Sequence, residues 1–289
     1  ASVGEYDVVI SNAPIVMNGE KKPYYIFWNH LAHFDNAIRS LLSTDVMNGI
    51  DCIVYVSEWQ KNECEKWFGK AKRTVVIGNG LTPAFENMFS SPEEIAAAKD
   101  PLRAAYTSTP FRGLRMMPEI MQRINGDKLI EDCLKLEVYS GMAVYQAKDE
   151  PYEGIYRSLR RPDIAHVGNV SQTELAARLK KCSYLLYPCV FPETYCIAVL
   201  EAMAAGLRIV TIRLGALPDT LSHFGYYSAY DGTSDWFLKD FLNAYDFARG
   251  YAEEAWDDDR FSQVQHVNQK CTWRMRAEKW RELLGSVSR

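Results

Sequence analysis

The chain has 289 residues, 47% of them hydrophobic and 24% charged, with a formal net charge of −4. That is enough apolar chain for one large or two medium cores, and the slight acid excess excludes a basic nucleic-acid groove. No apolar run approaches the roughly 20 residues of a membrane span, and the seven cysteines contain no C-x-x-C pair, so neither a disulfide framework nor a zinc site is signalled.

Tyr6 to Ser11 and Tyr24 to Asn29 read as buried strands, with a helix predicted from about Asp35 to Leu42. Asp51 to Val56 is a third strand. Ser57 caps a helix through Trp59 to Phe68 that stops at Gly69, and Arg73 to Ile77 is a fourth strand. Ser90 to Asp100 is short, polar and Ala-rich and reads as a join between two α/β units. The second unit begins with strand Arg103 to Thr107 and a helix from Leu114 to Ile124. Strands follow at Leu134 to Tyr139 and Ile164 to Val167. Ser171 and Glu174 form an S-x-x-E capping box for a helix through Lys181,. Tyr184 to Tyr187 is a strand leading into FPETYCIAVLEAMAAGLRIVTIR, residues 191–213. Gly225 to Ser228 reads as a last short strand, and Asp235 to Arg249 and Trp273 to Leu284 as amphipathic helices,. Asp257-Asp258-Asp259 reads as a solvated turn without a metal role. Strands alternating with helices predict parallel sheets and α/β architecture.

Stretch 191–213 organises the rest. Thr194 reads as an N-cap, Tyr195 to Ala205 as a helix, Gly206 as its left-handed terminator, and Arg208 to Ile212 as a buried strand,. The free amides of the helix start form a seat for an anion. Glu193 and Glu201, if both lay on an ideal helix, would be rotated about 80° and spaced about 12 Å, a span suited to a nucleoside diphosphate sugar. The alternative is a first-turn acid favoured by the dipole and a second that is solvated.

Glu193, Tyr195, Glu201, Ala202, Met203, Ala204 and Gly206 resemble the P-x-E-x-[FY]-G-x-x-x-x-E-A-M-A-x-G-x-P-V signature of retaining glycosyltransferases of the GT-B fold, family 4. Cys196 replaces the usual Gly and Arg208 the usual Pro. The resemblance implies two Rossmann-like domains with a nucleotide-sugar cleft between them and a last helix crossing back onto the first. The expected division is 1–100 as acceptor-side domain, 101–270 as donor-binding domain and 271–289 as crossing helix. The family's Gly-rich loop after the first strand has no counterpart here, so the N-terminal domain is expected to be incomplete, lacking its front half as a cut chain or a natural short form.

The resemblance also assigns roles. Glu193 would hold the donor sugar, with His30 beside it at the cleft edge, and Glu201 would bind ribose hydroxyls. Arg112, in the Ser108-Thr109-Pro110-Phe111-Arg112-Gly113 loop, would hold the diphosphate with Thr194 and the amides of Tyr195, Cys196 and Ile197. Thr107 stands where the family carries a second cation. Gly141 and Gly168 lie in loops expected to flank base and ribose. The bland alternatives are a surface cation for Arg112, a hydrogen-bonded core histidine for His30, and simple turns for the loops. Gly78-Asn79-Gly80 only echoes a dinucleotide fingerprint, because Pro83 stands at its third glycine,. A glycine in Leu214 to Pro218 would let backbone amides approach the diphosphate.

The implied activity is retaining, metal-independent transfer of a sugar from a nucleotide-diphosphate sugar to a hydroxyl on a glycan, lipid or small molecule. No cofactor, metal or nucleic acid is expected. A cytoplasmic location without a leader is the expectation, and membrane-surface or self-association is left open. The rival is a non-catalytic nucleotide-sugar binding module or inactive fragment; a GT-B-fold epimerase lacks placeable acid/base groups.

Overall fold

A computed structural model of the protein describes residues 6–16, 22–229, 234–250 and 253–287, with side chains described throughout except at 234–236 and 253–257. In chain order the first elements are β1 (Val8–Ser11), β2 (Tyr24–Asn29), α1 (Thr44–Gly49), β3 (Cys52–Tyr55), α2 (Glu58–Phe68), β4 (Thr74–Val76) and α3 (Pro92–Ala98). Next come β5 (Asp100–Thr107), α4 (Met117–Asn125), β6 (Lys135–Tyr139), α5 (Glu153–Ser158), β7 (Ile164–His166), α6 (Gln172–Leu179) and β8 (Cys182–Tyr187). The chain continues through α7 (Ile197–Ala204), β9 (Arg208–Ile212), α8 (Leu217–Leu221), β10 (Gly225–Ser228), α9 (Ser234–Gly250), α10 (Glu253–Lys270) and α11 (Trp273–Gly285). The strands form two parallel sheets, β1-β2-β3-β4 and β10-β9-β8-β5-β6-β7. This is the two-domain, Rossmann-like α/β architecture expected.

Each sheet is buried on both faces, as parallel strands between helix layers must be. In the first, Tyr25, Phe27, Ile53 and Tyr55 pack to one side with Ile38 and Leu41. Ile26, Cys52 and Val54 pack to the other with Ile77 and Leu283. The alternation follows from the period of two along a strand. The second sheet carries the main core, where Val199, Leu200 and Met203 of α7 meet Leu185 and Leu186 of β8 and Ile209 and Val210 of β9.

The helix from the far end of the chain thus seals one face of the first sheet. Trp280 meets Trp28 edge-on at 5.1 Å between centroids, and Leu283 is buried among first-sheet residues. Trp273 stays partly exposed, but its ring would lie 2.5 Å from a Cβ at position 80, so glycine is required there. Gly78 is tight against the Tyr195 ring in the same way. Both glycines of the Gly78-Asn79-Gly80 stretch therefore serve close packing between units.

Several expectations shift. Ser90 to Asp100 is not a bare join: Ser91 caps α3, its Oγ accepting from the Glu94 amide, with Pro92 in the first turn,. β5 begins at Asp100, three residues before the expected Arg103. Asp35 to Leu42 is a 3₁₀ helix over Asn36–Leu42, with Asp35 as its cap. Asp257-Asp258-Asp259 lies within α10 and is not a turn. The Ser171 hydroxyl accepts from the Glu174 amide, but the Glu174 carboxylate is engaged by Arg178, so the reciprocal half of the box is replaced by an i,i+4 ion pair,. All seven cysteines are unpaired and buried. Among the described residues no helix is long and apolar enough to cross a membrane.

Truncating Leu283 leaves a cavity between α11 and the first sheet. Leu283→Ala is expected to lower unfolding free energy by about 2–4 kcal/mol, read by chemical denaturation; a loss below about 0.5 kcal/mol would mean that the helix is not part of that core.

Candidate functional site

A cavity of about 610 Å³ opens at the carboxyl ends of the second sheet, where parallel α/β folds place ligands. Most of its wall is the loops after β5, β6, β7 and β8. Asn79 and Thr82, on the segment after β4, reach it from the first-sheet side. Glu193, Glu201, Arg112, Ser108, Tyr195, Cys196, Ile197, Gly141 and Gly168 all line this one space.

Glu193 is 6% exposed. The Tyr187 hydroxyl donates to its Oε1 at 2.7 Å, and Arg112 Nε stands 2.6 Å from the same oxygen. Burial pushes the carboxyl above its ordinary range, while Arg112 and Tyr187 pull it back. Arg112 is fixed further: Nη1 donates to Thr109 Oγ1 at 2.7 Å and Nη2 to the Tyr145 hydroxyl at 3.1 Å. Its guanidinium lies 4.8 Å from the Phe111 ring centroid and 5.1 Å from that of Phe191, a cation–π cage. Arg112 is thus no ordinary surface cation.

Glu201 is 5% exposed and accepts a 2.5 Å hydrogen bond from Thr82 Oγ1. Burial raises its carboxyl to about 7, with the Thr82 bond pulling the other way. The two acids lie in one cavity, but not as an ideal helix would set them. The helix begins at Ile197, so Glu193 is on the loop before it.

The N-cap expectation also fails. Cys196 occupies the cap position without a side-chain cap bond. The Thr194 hydroxyl instead donates to the His30 carbonyl at 2.9 Å, bridging the two units. Gly215 runs close behind this loop: its φ is +60° and a Cβ there would sit 2.7 Å from the Glu193 amide nitrogen and carbonyl oxygen, so glycine is required. This approach lets the Ala216 amide donate to the Glu193 carbonyl at 2.8 Å. The glycine of the Leu214 to Pro218 loop therefore supports Glu193 from behind and does not line the cavity. Gly206 is left-handed as expected, with φ +70°. The mouth of α7 nonetheless opens into the cavity through Cys196, Ile197 and Ala198, and first-turn amides have no acceptor within their helix.

His30 and Thr194 are not among the described residues lining the cavity. The His30 ring packs on Trp28, with centroids 4.6 Å apart, and burial lowers its basicity. Its carbonyl accepts from the Thr194 hydroxyl, behind the cavity lining. Sequence reasoning missed Thr82, Tyr145, Tyr187 and Arg276, which donates to the Tyr195 hydroxyl at 3.0 Å. Asn79 and Thr82 could have been found as the segment following a strand end; Tyr145 and Arg276 carry no local signal. Among the described residues no group of three His, Cys, Asp or Glu side chains could hold a metal.

Residues 153–245 match the family model described as glycosyl transferases group 1. No curated protein matches the chain. Among solved structures, a glycosyltransferase from Rickettsia africae ESF-5 superposes with TM-score 0.71 at 12% identity, covering 92% of this chain and 71% of that one. Anabaena Alr3699/HepE, solved in complex with UDP and glucose, gives TM-score 0.71 at 13% identity, over 98% of this chain and 79% of that. The pneumococcal O-GlcNAc transferase GtfA, solved with UDP and GlcNAc, gives 0.66 at 13%, over 92% and 53%. The chain therefore has the architecture of GT-B fold glycosyltransferases, over part of the length of these structures.

Because burial raises Glu201 above its unfolded value of 4.5 to about 7, its contribution to stability is complete below pH 4.5 and lost as pH rises through 7. Glu201→Gln removes that dependence. Between pH 5 and 8 the variant should gain roughly 2–3 kcal/mol on wild type, measured by denaturation at each pH. A constant difference would return the carboxyl to the ordinary range.

Proposed function

We propose that the chain binds a nucleoside diphosphate sugar in this cavity and transfers the sugar, with retention, to a hydroxyl acceptor. The observation that supports this most is the convergence of two buried carboxylates, a caged guanidinium and an open helix mouth on one space. In this reading residues 1–100 form the acceptor side, 101–270 the donor side, and 271–289 the helix that ties them together.

The diphosphate docks on the amides of Cys196, Ile197 and Ala198, within reach of the Arg112 side. Glu201 accepts from ribose hydroxyls, and Glu193 from hydroxyls of the sugar. Gly168, in the loop after β7, leaves open space toward the base, while the Asn169 side chain packs against Gly141 in the loop after β6. As the glycosidic bond breaks, charge grows on the leaving diphosphate, and the α7 dipole and Arg112 stabilise it. In a same-face transfer that diphosphate takes the acceptor's proton, so no separate protein base is needed. His30 acts at the cleft edge through the carbonyl that fixes Thr194. No metal is assigned a role. The ligands bound in the similar structures, UDP with glucose and UDP with GlcNAc, favour a uridine donor over guanosine and adenosine donors. A binding module without turnover is the second reading, favoured by the commitment of Arg112 to Glu193 and by Thr107 in place of a second cation.

Calorimetry with UDP should show binding that weakens about tenfold or more in Glu201→Ala, since a charge-assisted bond contributes about 1.5–3 kcal/mol. Glu193→Ala should bind UDP within about threefold of wild type yet lose most donor turnover. Unchanged UDP affinity in Glu201→Ala would overturn the ribose assignment, and absence of turnover with a panel of hydroxyl acceptors would leave the binding module.

A further inference from the structure

Aromatic side chains form a continuous band from the first unit to the cavity. It begins at Trp67, near the end of α2. The His33 ring lies close to parallel with it, 21° between planes and 5.5 Å between centroids. Phe34, on the segment after β2, meets His33 edge-on at 5.1 Å and reaches across to Phe191 of the second unit at 6.1 Å. Phe191 meets Phe111 at 5.9 Å, and Phe111 lies 6.3 Å from Tyr145. We propose that this band is the docking surface for the acceptor, and that the acceptor is a glycan of two or more sugar units. Its role as acceptor rests on the transferase reading, whereas glycan binding does not.

Core packing does not account for the outer rings. Trp67, Phe34 and Tyr145 are 62%, 48% and 53% exposed. Rings left this wet contribute little to the fold, and large apolar side chains gathered on one surface mark a binding site. Each is also held by its neighbours in the band, so little rotamer freedom is lost when a ligand arrives.

The arrangement of the rings selects the occupant. His33–Phe34, Phe34–Phe191 and Phe111–Phe191 are turned by 82°, 81° and 76° between planes. Rings so turned present separate faces and not one flat apolar sheet. A pyranose has a C–H face of about ring size and a polar rim. It can lie on the negative face of one aromatic ring while its hydroxyls stay in water. Successive sugars of a glycan can then use successive rings.

Charge points the same way. Adsorption to an anionic membrane calls for a cluster of cations beside the rings. The segments that carry the outer rings of the first unit, 33–42 and 58–68, hold four carboxylates against three cations, a balance that suits an uncharged glycan. The band is also continuous with the site. Phe111 and Phe191 are the rings that cage Arg112, and both Arg112 and Tyr145 line the cavity. Arg112 in turn meets Glu193, the residue placed on the transferred sugar. A glycan lying along the rings brings its terminal hydroxyl to that end of the cavity.

The test is calorimetry on the full chain without donor, with maltotetraose, cellotetraose, chitotetraose and mannotetraose as titrants and UDP titrated separately. Wild type should bind at least one tetrasaccharide, and its monosaccharide about tenfold more weakly or worse. Phe34→Ala and Trp67→Ala, at exposed positions that spare the fold, should each weaken that binding about fivefold or more. Trp67→Leu keeps an apolar side chain but no ring and should lose as much as Trp67→Ala, whereas Trp67→Phe should keep most of the affinity. UDP affinity should stay within about twofold of wild type in all four variants. No binding of any tetrasaccharide overturns the proposal, and so does affinity that survives both alanine variants. Binding to vesicles of phosphatidylcholine and phosphatidylglycerol that persists in Trp67→Leu would make the band a membrane surface and overturn it too. UDP binding without glycan binding sinks the glycan surface and spares the donor site; glycan binding without UDP binding does the reverse.

Discussion

A carboxylate out of water must be answered locally, and the answer to Glu193 organises the cleft. Its oxygens hold Tyr187 from the end of β8 and Arg112 from the loop after β5. Its backbone carbonyl holds Ala216 from the loop after β9. Three neighbouring strand ends are thereby fixed to one residue. Removing either charge alone would strand the other in a low-dielectric wall, a loss of several kcal/mol, whereas a well-packed apolar pair could be equally stable. Stability alone does not call for an ion pair here. The geometry it imposes on the cavity does.

The same contact sets the electrostatic balance of the site. Arg112 faces two acids across the cavity lining, and one of them already engages it. A diphosphate arriving at the mouth of α7 must share that guanidinium, and the rest of its charge falls on main-chain amides and the helix dipole. Glu201 lies on the helix itself, and burial raises its carboxyl to about 7. The protonated form donates one hydrogen bond and the ionised form only accepts.

How much of this was legible in the sequence depended on whether the signal was local. β2, β9 and β10 carry their own apolar runs and were bounded correctly. Ser57, which caps α2, and Gly206, which ends α7, are governed by backbone geometry a few residues wide. Thr194 failed because α7 starts at Ile197, two residues later than local signals suggest, and its hydroxyl donates to the His30 carbonyl, distant in sequence and brought near only when the two units meet. The Glu193 backbone ahead of the helix is likewise held from another loop, its carbonyl accepting from the Ala216 amide. A local rule for caps cannot see where tertiary contact sets the helix start. Tyr187 and Arg276 were invisible as site residues because their relevance lies in what they hold.

The contacts across the cleft bear on how a ligand could be held. Thr82 donates to Glu201, Arg276 to Tyr195 and Thr194 to His30, while Trp59 donates its amide to Asp219 Oδ2 at 2.7 Å. Each joins an element of the first sheet's unit, or the helix docked on it, to one of the second. An ionised carboxylate accepts at about four lone-pair positions, so the bond from Thr82 leaves Glu201 able to accept from ribose hydroxyls as well. A nucleotide there need not part the two units: it would add donors to a carboxylate that both units already hold in place.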